Sequence, residues 1–267
     1  RSDYDNWEKM GCAGWNWDTV FPYFLKSETL HDAPSQSHGT FGPLSVSPVR
    51  QPQAIGQHVI DAFEEIGVPI NQDYCDGSQF GVYRVYATQK DGRRCSVANA
   101  YLDPVRTRAN LTIVTGAQVD NIIIENARAT GVIYRQNGAA VQLEATREVI
   151  VSAGTIHSPA ILMRSGIGPE AHLREHGIDV LVDLPGVGQN LREHNTISVA
   201  KLVSIPTMSA QLGPFRMVGH LLNYLLRSKG LLTTPAVQVM AALKSEADLS
   251  DPDLILSMLP VAVNFDA

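Results

Sequence analysis

The chain has 267 residues, of which 44% are hydrophobic and 18% charged, and its formal net charge is −6. These values suit a globular protein of one large or two small domains. They argue against nucleic acid as a partner, and no apolar run approaches the roughly 20 residues that a transmembrane helix needs. The three cysteines, Cys12, Cys75 and Cys95, are scattered and odd in number, which argues against a disulfide framework or a metal site.

The first 91 residues predict helices and short strands separated by polar loops. Asp18 is a candidate N-cap for a short helix that contains Phe21 and Leu25. The apolar residues from Gln53 to Ile66 follow helical spacing, and Gly67 ends that helix. The other expected elements are a loop or lid from Thr29 to Thr40, a strand at Leu44–Ser47, a loop from Asn71 to Gln79 and a strand at Val82–Thr88.

Residues 96–152 predict one helix and then a β-rich block. Ser96 is the expected cap of a helix from Val97 to Leu102. The strand candidates that follow are Leu111–Thr115, Val119–Glu125, Thr130–Gln136, Ala140–Ala145 and Glu148–Ser152. The dipeptide Asn137-Gly138 is a strong hairpin signal between two of them.

The stretch from Val149 to Gly168 is the most informative part of the chain. A short β-branched run ends in the small residues Ser152-Ala153-Gly154, and a helix start signal follows at Ser158-Pro159. This order predicts a strand, a tight glycine turn and a helix. Small residues at such a turn let a flat or anionic ligand approach the backbone, and the helix N-terminus offers unpaired N–H groups.

The last hundred residues alternate between further strands and helices. The expected elements are a short helix at Pro169–His176, strands at Ile178–Leu184 and Thr196–Val203, a helix at Phe215–Leu226, and strands at Ala236–Leu243 and Leu254–Val263. Periodicity alone therefore indicates an α+β fold with many antiparallel strands.

Five sequence blocks resemble, in order, those of the glucose–methanol–choline (GMC) family of flavin oxidoreductases. The run Gly154–Gly168 is similar to the second family signature, and Gly11–Glu28 to the stretch that follows the first. The remaining blocks are Gly39–Val46, which resembles the HGxxGPL strand, Arg94–Leu102, which resembles the RxSxAxA(F/Y)L helix, and Leu184–His194, a variant of LPGVGxNLQDH. The nearest resemblance is to the bacterial choline-dehydrogenase-like and alcohol-oxidase branches.

The resemblance implies an α/β fold combined with α+β. Part of an FAD-binding Rossmann-like domain would be interleaved with an antiparallel-sheet substrate domain backed by helices. The implied division is a linking segment at 1–35, a first part of the substrate-binding domain at 36–91, a part of the FAD-binding domain at 92–194, and a second part of the substrate-binding domain at 195–267.

The resemblance also implies where FAD would be bound. The family uses the backbone of a valine in a TxAxV strand to contact the adenine, and the matching residue here is Val119. Ala153 and Gly154 are the other two cofactor-binding candidates, because only small residues allow a nucleotide close to the chain. The alternative interpretation is that Val119 is simply a buried strand residue and that Ala153-Gly154 is a packing turn.

Other polar residues carry little catalytic signal. His172 and His176 have the i, i+4 spacing of metal ligands, but no third ligand is evident from the sequence, so we predict no metal site. His194 ends a block that supports the active-site floor in the family, and a structural role is expected for it. We assign no catalytic residue within the chain, because the family's catalytic histidine is expected beyond Ala267. The family's GxGxxG motif, which binds the FAD diphosphate, is also absent.

The implied activity is FAD-dependent oxidation of an alcohol by hydride transfer to the flavin. Primary aliphatic or aryl alcohols and choline are the expected small-molecule substrates. The chain is expected to be an internal piece whose partners are the missing N- and C-terminal parts of the same enzyme, and to be inactive alone. The alternatives are a non-catalytic, flavin-free fragment or scaffold, and a hydroxynitrile lyase with the GMC fold.

Overall fold

The computed structural model describes residues 1–31 and 35–261. Its internal contacts divide the chain into two compact units. The first unit combines residues 1–108 and 199–267, and the second unit comprises residues 109–198. The described residues form a mixed α/β structure with five small sheets of two or three strands each.

Helices occur in both units. The α-helices are α1 (Ser2–Lys9), α2 (Trp17–Ser27), α3 (Ile55–Glu65), α4 (Gly154–Arg164), α5 (Glu170–Glu175) and α6 (Pro214–Arg227). A π-helical turn covers Ala98–Leu102, and 3-10 turns cover Asp103–Val105, Met208–Gln211 and Leu231–Thr233. The prediction of Asp18 as the cap of α2 is wrong: the Asn16 side chain accepts the bond from the Thr19 N–H at 2.9 Å, so the helix begins earlier.

The strands are short except in one sheet. They are β1 (Glu28–Leu30), β2 (Leu44–Pro48), β3 (Gly81–Arg84), β4 (Tyr86–Ala87), β5 (Gln89–Lys90), β6 (Arg93–Arg94), β7 (Gln118–Glu125), β8 (Arg128–Gln136), β9 (Ala139–Glu144), β10 (Ile167–Gly168), β11 (Val182–Asp183), β12 (Val239–Leu243) and β13 (Leu254–Met258). The hydroxyl of Ser96 accepts a hydrogen bond from the Asn99 N–H, as expected of a cap for the turn at Ala98–Leu102.

The core of the first unit lies between α3 and the sheet β13-β12-β3. The central strand β12 pairs antiparallel with both neighbours, and Ala241 lies opposite Val82 of β3 and Leu256 of β13. Ile60 of α3 packs with Val82, Val239 and Ala241, all of which are less than 5% exposed. The helical spacing read from the sequence therefore places the apolar side of α3 against this sheet.

The second unit is built around the antiparallel meander β7-β8-β9. Two tight hairpins connect its strands, and the residues at both turns have positive φ: Asn126 and Ala127 in the first, Asn137 and Gly138 in the second. Two consecutive residues with positive φ match the right-handed twist of the strands that they join. The hairpin predicted at Asn137-Gly138 is confirmed.

The C-terminal end of α4 covers the free edge of β7. The buried Ser165 hydroxyl accepts a hydrogen bond from the Ile122 N–H at 2.8 Å and donates to the Ile161 carbonyl at 2.7 Å. The Arg164 guanidinium donates to the carbonyls of Val119 and Asp120. These bonds satisfy edge groups of β7 that have no neighbouring strand among the described residues.

Several predicted strands do not form. Leu111–Thr115, Glu148–Ser152 and Thr196–Val203 contain no strand, because no described strand pairs with them and an apolar run needs a neighbour to become a ladder. Ile178–Leu184 shortens to β11, and Ala236–Leu243 to β12. The strand predicted at Leu254–Val263 is present as β13, and its last two predicted residues, 262 and 263, lie outside the described residues. Residues 32–34 of the loop predicted at Thr29–Thr40 also lie outside the described residues.

The signature helix begins earlier than its Ser-Pro signal predicts. Helix α4 starts at Gly154, and Pro159 lies within it. Ser158 still acts at the N-terminus, because its hydroxyl accepts a hydrogen bond from the Ala153 N–H at 3.1 Å. Since the side chain returns to the start of the helix, the capping residue lies inside the helix instead of before it.

Replacement of Ser165 by Ala is expected to destabilise the second unit by about 2 kcal/mol, because it leaves the buried Ile122 N–H without an acceptor. Chemical denaturation followed by circular dichroism measures the change. Ser152→Ala, at an exposed serine of the same unit, is the control and is expected to change stability by less than about 0.5 kcal/mol. Equal effects of the two substitutions would contradict the role given to the Ser165 hydroxyl.

Candidate functional site

A buried histidine joins three segments of the first unit. The His38 ring lies between two carboxylates: Nδ1 is 2.8 Å from Glu28 Oε1, and Nε2 is 3.0 Å from Asp73 Oδ1. The side chains of His38 and Asp73 are almost completely buried, and that of Glu28 is mostly buried. Glu28 stands at the start of β1, and Asp73 lies in the loop that precedes β3. We call this arrangement the His38 clamp.

The loop that carries Asp73 is held in place by its own hydrogen bonds. The Asn71 side chain accepts from the Asp73 N–H and donates to the carbonyls of Ser78 and Phe80. Asp73 itself accepts from the Ser35 hydroxyl and from the Cys75 N–H. The carboxylate therefore reaches His38 from a loop whose conformation is already fixed.

The surroundings of the clamp favour its charged form. Burial alone would lower the pKa of His38, but the hydrogen bonds and negative charges of Glu28 and Asp73 outweigh it and raise that pKa above its usual value. Burial opposes ionisation of Asp73, yet the bonds from Ser35, His38 and Cys75 lower its pKa. Each ring nitrogen faces a carboxylate, and both pKa directions favour an imidazolium that donates one N–H to each of them.

An aromatic cluster extends from the clamp. Tyr86 packs edge-on against the His38 ring with centroids 5.7 Å apart, and Tyr74 stacks on both Tyr83 and Tyr86. Burial raises the pKa of Tyr74 to about 12, and its hydroxyl accepts a hydrogen bond from the Tyr86 N–H. Tyr86 also lines an open cleft of about 670 Å³ in the first unit, together with Arg94, Tyr224 and other residues. The clamp therefore supports one wall of this cleft.

Val119, the first cofactor candidate, lies near the start of β7 and is half-buried. Its carbonyl accepts a hydrogen bond from Arg164 Nη2 at 3.2 Å, and it lies opposite Tyr134 of β8. Arg164, which sequence reasoning did not select, thus fixes the backbone at this position. The pattern gave no signal for it, because Arg164 and Val119 are far apart in sequence.

Ala153 and Gly154, the other cofactor candidates, are exposed at the opposite end of α4. Gly154 has a φ of +82°, and no atom lies within 4 Å of the position that its Cβ would occupy. The turn therefore leaves open space beside the backbone and fits a flat or anionic group near the helix N-terminus. Val119 is bound by Arg164 at the other end of this helix.

Two groups of side chains in the described residues have the donor atoms of a metal site. In the first, His38, Asp73 and Cys75, the facing atoms of His38 and Asp73 already bond to each other. The second, His172, Glu175 and His176, adds a third donor that sequence reasoning missed, and all three residues are exposed at α5. Neither group has a feature that requires an ion, and the prediction of no metal site stays a prediction.

Comparison with known proteins places the chain in a family. The family model described as GMC oxidoreductase matches residues 1–196, which is most of the chain. The chain belongs to the GMC oxidoreductase family. The expected family resemblance is therefore confirmed, and it accounts for the order of the sequence blocks between Gly11 and His194.

Similar proteins include enzymes named for choline and for flavin chemistry. An oxygen-dependent choline dehydrogenase from Rhizobium meliloti is 38% identical over 99% of this chain and 48% of its own length. An FAD-dependent oxidoreductase from Chaetomium thermophilum is 28% identical, with a TM-score of 0.80 over 91% of this chain and 46% of its own. A formate oxidase from Aspergillus oryzae is 25% identical, with a TM-score of 0.81 over 97% and 50%. The chain spans about half the length of each of these relatives.

Replacement of His38 by Gln is expected to destabilise the protein by about 3 kcal/mol near pH 6, because two buried carboxylates lose the cation between them. The folded-state pKa of His38 is raised, so the stabilisation is complete below the unfolded value of about 6.5 and is lost as the pH rises through the folded value. The stability difference between wild type and variant should therefore shrink towards high pH.

Urea denaturation at a series of pH values from about 6 to about 9 measures this difference. His58→Gln is the control, because His58 is exposed on α3. That substitution should change stability little at any pH. A His38→Gln difference that stays constant across the series would show that the imidazole is not charged in the folded protein.

Proposed function

We propose that the chain forms part of an FAD-dependent enzyme that oxidises an alcohol. The observation that carries this proposal is the 38% identity to a choline dehydrogenase over 99% of the chain. Choline and other primary alcohols, aliphatic or aryl, are the proposed substrates. When bound, FAD would supply the hydride-accepting chemistry, and the protein would hold and orient the reactants.

We assign different segments of the chain to an FAD-binding domain and a substrate-binding domain. Residues 92–194 are assigned to a Rossmann-like FAD-binding domain, and most of them coincide with the compact unit 109–198. Residues 36–91 and 195–267 are assigned to the substrate-binding domain. The antiparallel sheet β13-β12-β3, drawn from both of these segments and covered by α3, supports that assignment. Residues 1–35 would link the two domains.

The cofactor would be held by backbone groups of this chain. Val119 is proposed to contact the adenine through its backbone, and Arg164 keeps that part of β7 in place. Ala153 and Gly154 are proposed to let the nucleotide approach the N-terminus of α4, where unpaired N–H groups can donate. No side chain of this chain is assigned as the base that removes the hydroxyl proton; that residue is proposed to lie outside the 267 residues.

A visible absorption spectrum and an intact mass of the same purified sample test the proposal. Flavin bands that bleach when choline or benzyl alcohol is added without oxygen would support alcohol oxidation. Flavin bands that no alcohol bleaches would instead favour the lyase alternative. The absence of flavin in a protein with the mass of this chain would favour a flavin-free fragment or scaffold and leave the activity unsupported.

Gly154 and Gly138 offer a matched pair for the cofactor site. Both have a φ of +82° and open space at the Cβ position, so alanine should introduce the same backbone strain of about 1 kcal/mol at each. Gly154→Ala is expected to lower the flavin content of the purified protein several-fold, because its methyl group enters the proposed nucleotide site. Gly138→Ala, in the β8–β9 hairpin, should leave it unchanged. Equal flavin contents at equal stability would contradict the assignment of Gly154.

A further inference from the structure

Three side chains at the C-terminal end of α5 bring metal-binding atoms together. His172, Glu175 and His176 each offer one ligand atom, and all three atoms lie within 4.8 Å of one another. The two imidazole rings pack edge-on with centroids 4.6 Å apart, and His172 Nδ1 is 4.0 Å from Glu175 Oε2. Residues spaced three and four apart share one side of a helix, so the helical turn itself gathers these donors.

The backbone that carries the three donors is fixed by the rest of the protein. Leu173 anchors the helix, because its side chain is 0% exposed. At the helix end the Gly177 N–H donates to the Arg174 carbonyl at 3.0 Å, and the Ile178 N–H donates to the Leu173 carbonyl at 2.9 Å. Gly177 has a φ of +67°, which completes a Schellman motif. The last turn therefore forms without an ion, and only the three side chains have to be ordered when one binds.

The Glu175 carboxylate is available to a cation. The neighbouring arginine, Arg174, binds Glu170 instead, with Nη2 2.7 Å from Oε1. Within the part of the chain that the structure describes, Glu175 forms an ion pair only with His172. Zinc bonds of about 2.0–2.1 Å hold tetrahedral ligand atoms about 3.4 Å apart. Since all three side chains are exposed, a small rotation of each brings the ligand atoms to this spacing.

We propose that His172, Glu175 and His176 bind a zinc ion, with water in the remaining coordination position. Two imidazoles and one carboxylate are a ligand set that zinc accepts, and two histidines four residues apart on a helix can bind it together. The prediction of no metal site rested on the lack of a third ligand in the sequence, and Glu175 removes that reason. The site lies within the second unit, and it does not depend on the proposed enzymatic function.

Calorimetric titration with zinc chloride tests the proposal directly. The 267-residue protein is first freed of metal with a chelator and dialysed. One zinc ion per chain is expected to bind, and its affinity should fall as the pH is lowered, because protons compete for the imidazole nitrogens. Zinc should also raise the thermal midpoint, since the turn that gathers the ligands exists only in the folded state. Magnesium prefers oxygen ligands and should not compete. Failure to bind zinc, or equal affinity for magnesium, would overturn the proposal.

Substitutions of the ligands locate the ion. Loss of a group that merely orients a metal ligand weakens binding about tenfold or more, so loss of a ligand itself should weaken it at least as much. Glu175→Gln and His176→Gln are therefore each expected to raise the dissociation constant for zinc at least about tenfold. The matched controls are Glu144→Gln on β9 and His157→Gln on α4, both at exposed positions of the same unit. They should leave zinc binding unchanged.

A further variant distinguishes this site from the other group of donors, which includes Cys75 beside the His38 clamp. Cys75→Ser should not affect zinc binding. If it abolishes binding while His176→Gln does not, the ion is held at the clamp and the proposal is wrong. Circular dichroism and the thermal midpoint without zinc must show that each variant is folded. Because Glu175→Gln and His176→Gln remove different ligands, either one decides the question if the other is unstable.

Discussion

The buried ion pairs of His38 set the frame for the first unit. A charged imidazole can be buried only if both of its N–H groups meet acceptors, and here these come from Glu28 and Asp73. One residue thus specifies the relative positions of β1, the segment that precedes β2, and the loop before β3. Tyr86 then packs on the ring and forms part of the cleft wall. The ion pairs of His38 thereby help to position one residue of the cleft wall.

Sequence patterns predict the elements whose stability is local. Each of these patterns involves only residues that are close together in the chain: the apolar spacing within α3, the apolar spacing within α6, and the turn dipeptide Asn137-Gly138. All three predicted elements are present. The strands predicted in the meander are also present, but three other predicted strands do not form, because no described strand pairs with them. The run Glu148–Ser152 has the composition of a buried strand, but no described strand pairs with it and Ile150 is 78% exposed. Composition alone does not supply a partner.

For the candidate site too, the sequence predicts local features but not the contacts between distant residues. Gly154 is a candidate because a glycine turn before a helix is a local pattern, and Val119 because its block resembles a known family. Their assignment to FAD stays a prediction. Other contacts join residues that are far apart in the chain. Arg164 binds the backbone of Val119, and Asp73 binds His38, and each pair is separated by more than thirty residues. Such contacts leave no spacing rule, and only the three-dimensional structure reveals them.

The connectivity of the two sheets has a consequence for the order of folding. In the meander, each strand pairs with its neighbour through a two-residue turn, so only short loops have to close and the barrier is small. In the other sheet, Val82 of β3 must find Ala241 of β12, which is synthesised much later. During translation the meander can therefore form before the strand that completes the first core has left the ribosome, and β3 waits unpaired until it emerges.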